Sequence, residues 1–350
     1  KLYSTVESSQ RNCSIASSLP HSQQHVSTIL VLDNHLNTRR ISKSVGYNSV
    51  QVLRSLSEWS SGVAPILERS IYDGYIQAIT NARKFIYIEN QFFISSLAGD
   101  SIKNQLAQCI LDKLFNAIEN NQDFKVIIVL PQHPEGMYYR EAVTTRYIMH
   151  LQYNTISRGG NSMLEQLHAR FPDTDLRNYI GFYTLRNYGQ LKEYYVHEQI
   201  YVHAKILIVD DRVAIIGSAN TNDRSMTGER DSEIAIKVFG GEKIPTKMNG
   251  SSWSATKFVH SLRVSLWQEH LGLLGLDESL VEDPMDSFDL LWKPVASRNA
   301  EIYRTQFPNV PHSADSDSPM FKLAHETETK LLVTPSSTEA LKEIQGHIVE

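Results

Sequence analysis

The stretch YVHAKILIVDDRVAIIGSAN, residues 201–220, places a histidine and a lysine ahead of an apolar strand. Two apolar runs, 206–209 and 213–216, flank the polar residues 210–212. This pattern predicts an antiparallel hairpin that turns at the polar residues. In such a hairpin, residues whose numbers sum to about 422 lie opposite one another.

Polar side chains gather at the open end of this hairpin. His203 and Lys205 are two residues apart, so they share one face of an extended chain. The register brings His203 opposite Ser218 and Asn220, and Gly217 leaves room for a ligand to approach the backbone. An imidazole, an ammonium, a hydroxyl and a carboxamide on one surface suit a phosphate group.

Asp210 lies at the other end of the hairpin. The seven residues that separate it from His203 span roughly 23 Å of extended chain, at about 3.3 Å per residue. Its carboxylate is therefore not expected to reach a phosphate bound at His203. We predict that Asp210 fixes the turn.

Strand and helix patterns alternate along the rest of the chain. The predicted strands are 85–88, 124–130, 179–185, 201–209, 213–217 and 233–238. The predicted helices are 102–118, capped at Asp100 or Ser101, 141–153, 163–171, 255–273 and 288–307. Such alternation is typical of α/β proteins, and we predict a mixed, largely parallel sheet flanked by helices on both faces. Residues 1–48, rich in Ser, Asn, Gln and His, are predicted to be a flexible lead-in to a domain at 49–350.

The composition is that of an ordinary globular protein of 350 residues, 41% hydrophobic and 21% charged. A formal charge of −5 gives no reason to expect nucleic-acid binding. No apolar run reaches the roughly 20 residues that span a bilayer, so any membrane contact is expected to be peripheral. Two distant cysteines, Cys13 and Cys109, predict neither a disulfide framework nor a zinc site and favour a reducing, cytoplasmic compartment. No Asp, Glu or His cluster has ligand spacing, so we predict no metal and no cofactor.

The hairpin residues follow the pattern H-x-K-x4-D-x6-G-S-x-N, which resembles the HKD signature of the phospholipase D superfamily. The pattern is filled by His203, Lys205, Asp210, Gly217, Ser218 and Asn220. Three further segments resemble the eukaryotic, animal and fungal type of phospholipase D: QVLRSLSEWSSG at 51–62, YIENQFF at 87–93 and NDRSMTGERDSE at 222–233. The first of them resembles the start of the second catalytic half in that family, so domain 49–350 is interpreted as this C-terminal half.

The resemblance implies hydrolysis of phosphatidylcholine to phosphatidate and choline, with transfer to primary alcohols, through a phosphohistidine. Family members build one active site from two such motifs, and this sequence contains one. By position His203 is the general acid of the second motif, and the nucleophile belongs to a missing N-terminal half of the same protein. Lys205, Ser218 and Asn220 would hold the nonbridging phosphoryl oxygens, and Asp210 is counted with the motif's catalytic residues.

Two assignments stay open around this motif. In the family an acidic residue accepts a hydrogen bond from the acid histidine; Glu233 is the preferred candidate and Asp231 the competing one. Gln91 follows a predicted strand and is a candidate for substrate binding, with a structural role at the site rim as the alternative.

The chain is expected to act on a phospholipid at a membrane surface, as a cytoplasmic, peripheral protein. No regulatory membrane-binding domain is present, so phosphoinositide or small-GTPase responses are not assigned. One alternative is a single-motif phosphodiesterase or nuclease that is completed by homodimerisation. The other is a non-catalytic module that binds a phosphate or a lipid head group.

Overall fold

A mixed eleven-stranded sheet runs through the part of the chain that the computed structural model describes. The described residues are 27–30, 47–62, 67–135, 143–192, 194–307 and 338–350. The strands of the main sheet are β1 (Ser27–Leu30), β2 (Tyr47–Leu56), β3 (Glu68–Arg69), β4 (Phe85–Glu89), β5 (Lys125–Val129), β6 (Ile180–Leu191), β7 (Tyr194–Gln199), β8 (Ile206–Val209), β9 (Val213–Gly217), β10 (Glu233–Phe239) and β13 (Ile348–Val349). A separate hairpin is formed by β11 (Lys243–Met248) and β12 (Ser251–Thr256).

Helices connect and cover these strands. They are α1 (Glu58–Ser61), α2 (Ser70–Thr80), α3 (Leu106–Glu119), α4 (Val143–Ile156), α5 (Met163–Arg170), α6 (Asp223–Met226), α7 (Lys257–His270), α8 (Pro284–Ser287), α9 (Lys293–Gln306) and α10 (Thr338–Leu341). None of the helices in the described ranges combines the length and apolar character needed to cross a bilayer.

The strand order of the main sheet is β1-β2-β10-β9-β8-β4-β5-β6-β13, with β3 beside β2 and β7 beside β6. The predicted mixed α/β sheet is confirmed, but its parallel share is smaller than expected: only β4–β5 and β5–β6 pair in parallel. Helices cross over between these three strands, whereas β8, β9 and β10 follow one another through shorter connections and pair antiparallel.

Alternate residues of the central strands pack into two cores on opposite faces of the sheet. On β4, Ile86 and Ile88 join the core that contains α2, α3 and α5. Phe85 and Tyr87 join the core that contains α7 and α9. Side chains of an extended strand alternate between faces, so one strand serves both cores, and helices cover both faces as predicted.

Several predicted element boundaries differ from the structure, and three of them concern helices. The helix expected at 102–118 begins at Leu106, because the backbone N–H groups of residues 103 and 104 donate to the Asp223 carboxylate instead. The start of the helix expected at 255–273 lies in β12, and the helix begins at Lys257. The helix expected at 288–307 opens with a π-helical turn, Phe288–Trp292, before α9.

The predicted lead-in contains one described strand. Ser27–Leu30 pairs antiparallel with Tyr47–Val50, and β2 starts two residues before the predicted domain boundary. Most of residues 1–48 lie outside the described ranges, so the boundary remains a prediction.

Candidate active site

The predicted hairpin is confirmed with its register. Ile206 pairs with Ile216 and Val209 with Val213, so the paired residue numbers sum to 422. The backbone N–H of Gly217 donates to the carbonyl of Lys205 at 3.1 Å, which carries the register beyond the named strand. The strand itself begins at Ile206 rather than at residue 201, so His203 and Lys205 lie on its approach.

The turn of this hairpin is formed by two aspartates in the left-handed region, Asp210 with φ 56° and Asp211 with φ 52°. Two such residues in succession match the twist of the flanking strands. The Asp211 carboxylate is buried and accepts from the Arg263 guanidinium at 2.8 Å, which anchors α7 to the turn. Burial alone would raise the pKa of Asp211, but the Arg263 charge and the hydrogen bonds with His260 and Arg263 together outweigh burial, and the pKa is lowered.

Asp210 ties the turn to the start of β4. Its buried carboxylate accepts the backbone N–H groups of Arg83, Lys84 and Phe85 at 2.8, 2.8 and 2.9 Å. Burial raises the pKa of Asp210, and the three donors act against this rise. The carboxylate therefore lies at the opposite end of β8 from His203, and the structure does not bring the two together.

His203 presents its imidazole to solvent. The ring stacks beside Tyr201 with 6.4 Å between ring centroids. In the described part of the chain no hydrogen bond is made to either ring nitrogen. The imidazole is thus available to an incoming group.

Lys205 is buried and held beside His203 by a hydrogen-bonded relay. Its Nζ donates to the His203 carbonyl at 2.6 Å and to Gln91 Oε1 at 3.2 Å. Gln91 Nε2 donates in turn to Tyr201 Oη at 3.1 Å, which also accepts the backbone N–H of Glu135 at 3.0 Å. Burial lowers the pKa of Lys205, and the Glu233 charge opposes this. The relay fixes an ammonium next to the free imidazole.

Gln91 thereby contacts Lys205 directly, whereas the two residues before it have other partners. Asn90 Oδ1 accepts the backbone N–H of Thr221 at 3.0 Å and so fixes the chain that carries Asn220. Glu89 is buried and accepts from Tyr87 Oη at 2.6 Å, with His270 Nε2 at 2.9 Å.

Glu233 lies at the first position of β10 and is held by two serines. Its carboxylate accepts from Ser218 Oγ at 2.5 Å and from Ser225 Oγ at 2.6 Å. The predicted hydrogen bond from His203 is not made in the described residues. Extending the two registers places Ala219 between Glu233 and His203, in a row about 10 Å long between the outer Cα atoms.

The competing candidate, Asp231, has a different partner. Its carboxylate forms a two-bond ion pair with Arg224, at 3.0 Å for each bond. This pairing leaves Glu233 as the acidic residue that faces the hairpin.

Ser218 and Asn220 follow β9, at the same end of the hairpin as His203 and Lys205. Ser218 is exposed and its hydroxyl is engaged with Glu233, as described above. Asn220 Oδ1 is buried, and no described residue donates to it. The arrangement places a free imidazole and an immobilised ammonium, with Ser218 and Asn220 nearby, at one end of the central strands β8 and β9, where they can bind and protonate a phosphate ester.

The sequence did not point to Tyr201 or Ser225 as parts of this site. Tyr201 is two residues before His203, and this spacing alone could have indicated a shared face. Ser225 reaches Glu233 only because α6 folds back against β10, which no local pattern reveals. No group of three potential ligands for a metal ion occurs among the described His, Cys, Asp and Glu residues.

Comparisons with known proteins identify the family. The sequence profile described as Phospholipase D matches residues 30–198 and 190–305. Phospholipase D zeta 2 of Arabidopsis thaliana is 42% identical over 325 residues, which cover 85% of this chain and 31% of that protein. Phospholipase D1 of Homo sapiens is 38% identical over 310 residues, which cover 86% of this chain and 28% of that protein. Among solved structures, Nuc from Salmonella typhimurium is similar with a TM-score of 0.30 and 16% identity, over 63% of this chain and 92% of that chain.

The chain spans about a third or less of the length of these curated relatives. The profile match covers most of the chain, and the relatives are eukaryotic phospholipases D that include the animal type predicted from the motif and its flanking segments, together with a plant protein. The chain therefore belongs to the phospholipase D family.

Proposed function

We propose that this chain supplies the second half of the active site of a phospholipase D that hydrolyses phosphatidylcholine to phosphatidate and choline. The observation that carries the proposal is the exposed imidazole of His203, without a hydrogen-bond partner in the described residues, beside the buried ammonium of Lys205. A phosphodiester placed here meets a proton donor for its leaving oxygen and a fixed positive charge for its phosphoryl oxygens.

In the proposed reaction a histidine of the missing half attacks phosphorus, and the bond from phosphorus to the choline oxygen breaks. His203 donates its proton to that oxygen as choline leaves. His203 then removes a proton from water, whose oxygen attacks phosphorus and breaks the phosphorus–nitrogen bond. Lys205, through its ammonium, stabilises the charge that develops on the nonbridging oxygens in both steps.

Glu233 fits a positioning role in this scheme. Its carboxylate accepts from Ser218 Oγ, and the strand registers, extended beyond their last observed pairs, place Ala219 between Glu233 and His203. In this proposal Glu233 positions Ser218, one of the residues that would hold the phosphoryl oxygens.

An exposed apolar strip on β2 and β10 is a candidate contact surface for the missing half. Val52, Ile234 and Ile236 are 54%, 60% and 38% exposed, and Val52 and Ile236 pair directly across β2 and β10. Ile234 follows Glu233 in the chain, so the strip begins at the same end of β10 as the candidate site but lies on the opposite face of the sheet from Glu233. Since the chain spans under a third of its relatives, we propose that the N-terminal catalytic half of the same protein covers these side chains. A phospholipid surface is the proposed source of substrate, which implies a peripheral association.

The isolated chain is expected to release no measurable choline as a monomer, because one of two required histidines is absent. Mixing it with a matching N-terminal half should restore release, and Ile236→Glu should weaken that restoration by blocking the docking strip. Choline release is measured together with molecular mass by light scattering. Robust release by a verified monomer contradicts the proposal, whereas release by a verified dimer of this chain supports the homodimeric alternative.

A primary alcohol is expected to compete with water in the reconstituted enzyme. Both acceptors resolve the same phosphatidyl-histidine, so butanol should divert phosphatidate into phosphatidylbutanol while choline release continues at a similar rate. Mass spectrometry of the lipid products measures the partition, and a tertiary alcohol provides the matched control. Choline release without any phosphatidylbutanol at high butanol would exclude the shared intermediate.

A further inference from the structure

A pocket lies beside the candidate site, and it contains a buried arginine that pairs with no carboxylate among the described residues. The cavity has a volume of about 710 Å³ and is bounded by the segment after β5, by β6, by α4 and by α9. Pro134 lines it, and the next residue, Glu135, donates its backbone N–H to Tyr201 of the relay described above. The pocket is therefore a neighbour of the candidate site and shares one wall segment with it.

Arg186 forms the floor of this pocket. It is 5% exposed, and its guanidinium lies over the Tyr303 ring at 4.3 Å from the centroid. Its Nη2 lies 2.9 Å from His197 Nδ1. Its Nε is buried, and no described residue accepts from it; the same is true of the Tyr303 hydroxyl.

The partner of this guanidinium carries no charge near neutral pH. Burial, together with the Arg186 charge, lowers the pKa of His197 to about 4, so its ring is neutral and can accept a hydrogen bond. Burial lowers the pKa of Arg186 to about 10, which still leaves it positive at neutral pH. The Glu198 charge acts on Arg186 without forming an ion pair with it, so no described carboxylate contacts the guanidinium, and an anionic ligand in direct contact would offset the cost of burying this charge.

Two further arginines lie at the rim. Arg158 and Arg304 line the pocket and are exposed, and no described carboxylate lies within ion-pair distance of either guanidinium. One acidic residue, Glu350, also lines the rim, where it accepts from Ser297 Oγ at 2.9 Å. The remaining wall is largely apolar and includes Leu130, Pro131, Met149, Ile156, Phe182 and Phe307. Three positive charges against one negative charge favour an anion, and the apolar wall favours one with a hydrophobic body.

We propose that this arginine pocket, formed by Arg158, Arg186 and Arg304, binds a phosphate monoester that carries an apolar group. A monoester has up to two negative charges and three free oxygens, which can accept from several guanidinium groups at once. A phosphodiester with a choline head has one charge and a bulky cation, so it fits the pocket less well. The proposal concerns binding alone, and it stands or falls independently of the proposed hydrolysis.

The test measures the binding of three small probes to this chain by isothermal titration calorimetry. The probes are dihexanoyl phosphatidate below its micelle concentration, glycerol 3-phosphate, and dihexanoyl phosphatidylcholine. Phosphatidate is expected to bind at least about 10-fold more tightly than phosphatidylcholine, because the additional charge is met by charge-assisted hydrogen bonds. If glycerol 3-phosphate binds as tightly as phosphatidate, the pocket binds a phosphate monoester, but the apolar group is not part of what it recognises. Equal binding of phosphatidylcholine, or no binding of either monoester, overturns the proposal.

Variants locate the binding within the chain. Arg186→Met and Arg304→Gln should each weaken phosphatidate binding at least about 10-fold, since each removes a charged donor. Arg186→Met should leave the unfolding temperature of the ligand-free protein unchanged or raised, because an apolar side chain replaces an unpaired buried charge. Arg177→Gln, an exposed arginine paired with Asp175, is the matched control and should not affect binding. If Lys205→Met abolishes binding while Arg186→Met does not, the phosphate occupies the candidate active site and the proposal is wrong.

Discussion

His203→Asn is expected to lower choline release by the reconstituted enzyme by at least about 10²–10⁴-fold, the contribution of a well-placed general acid. Asparagine keeps a polar side chain of similar reach but cannot donate a proton to the leaving oxygen or take one from water. Lys205 would keep its position, because it is held by the backbone carbonyl of residue 203 and by Gln91. The rate constant is measured under single-turnover conditions with a choline-labelled substrate.

Because the imidazole is exposed, the effect of this substitution on the rate can be separated from any effect on stability. The His203 imidazole has no hydrogen bond to break in the described structure, and substitutions at such surface positions usually change stability by less than about 0.5 kcal/mol. His168→Asn, at an exposed histidine of α5, is the matched control and should leave both rate and stability unchanged. A loss of less than tenfold for His203→Asn would show that another group protonates the leaving oxygen.

Features set by neighbouring residues could be predicted from the sequence. The register of the β8–β9 hairpin and the distance of Asp210 from His203 follow from the spacing of apolar and polar residues within the stretch 201–220. The period-two pattern places side chains on faces without reference to any other part of the fold.

Features set by distant residues could not be predicted in this way. The start of α3 depends on Asp223, whose carboxylate accepts the backbone N–H groups of residues 103 and 104. Asp223 is 119 or more positions away from them in the sequence. Arg186 meets Tyr303 only because β6 and α9 pack together. The share of parallel pairing likewise depends on how β8 is placed beside β4, which periodicity does not encode.

Removing the Asp210 carboxylate is expected to cost stability rather than catalysis. In Asp210→Ala the backbone N–H groups of Arg83, Lys84 and Phe85 lose their acceptors, and a buried unpaired N–H costs about 1–3 kcal/mol. Only the Phe85 N–H is fully buried, since the other two hydrogen bonds are part-buried, so the free energy of unfolding should fall by roughly 1–3 kcal/mol. Asp210→Asn should lower the free energy of unfolding by less, because the remaining side-chain oxygen can still accept a hydrogen bond. Some loss is still expected, since the new NH₂ group faces an N–H donor.

Turnover separates this structural role from a catalytic one. Since Asp210 lies at the far end of β8 from His203, each folded molecule of Asp210→Asn should keep most of its activity once mixed with the N-terminal half. Unfolding is followed by urea titration, and activity is divided by the folded fraction at the assay temperature. Asp231→Asn, which breaks only an exposed ion pair with Arg224, is the control and should cost about 0–1 kcal/mol. Full stability together with lost turnover in Asp210→Asn would place this carboxylate in the chemistry and refute the assignment to the turn.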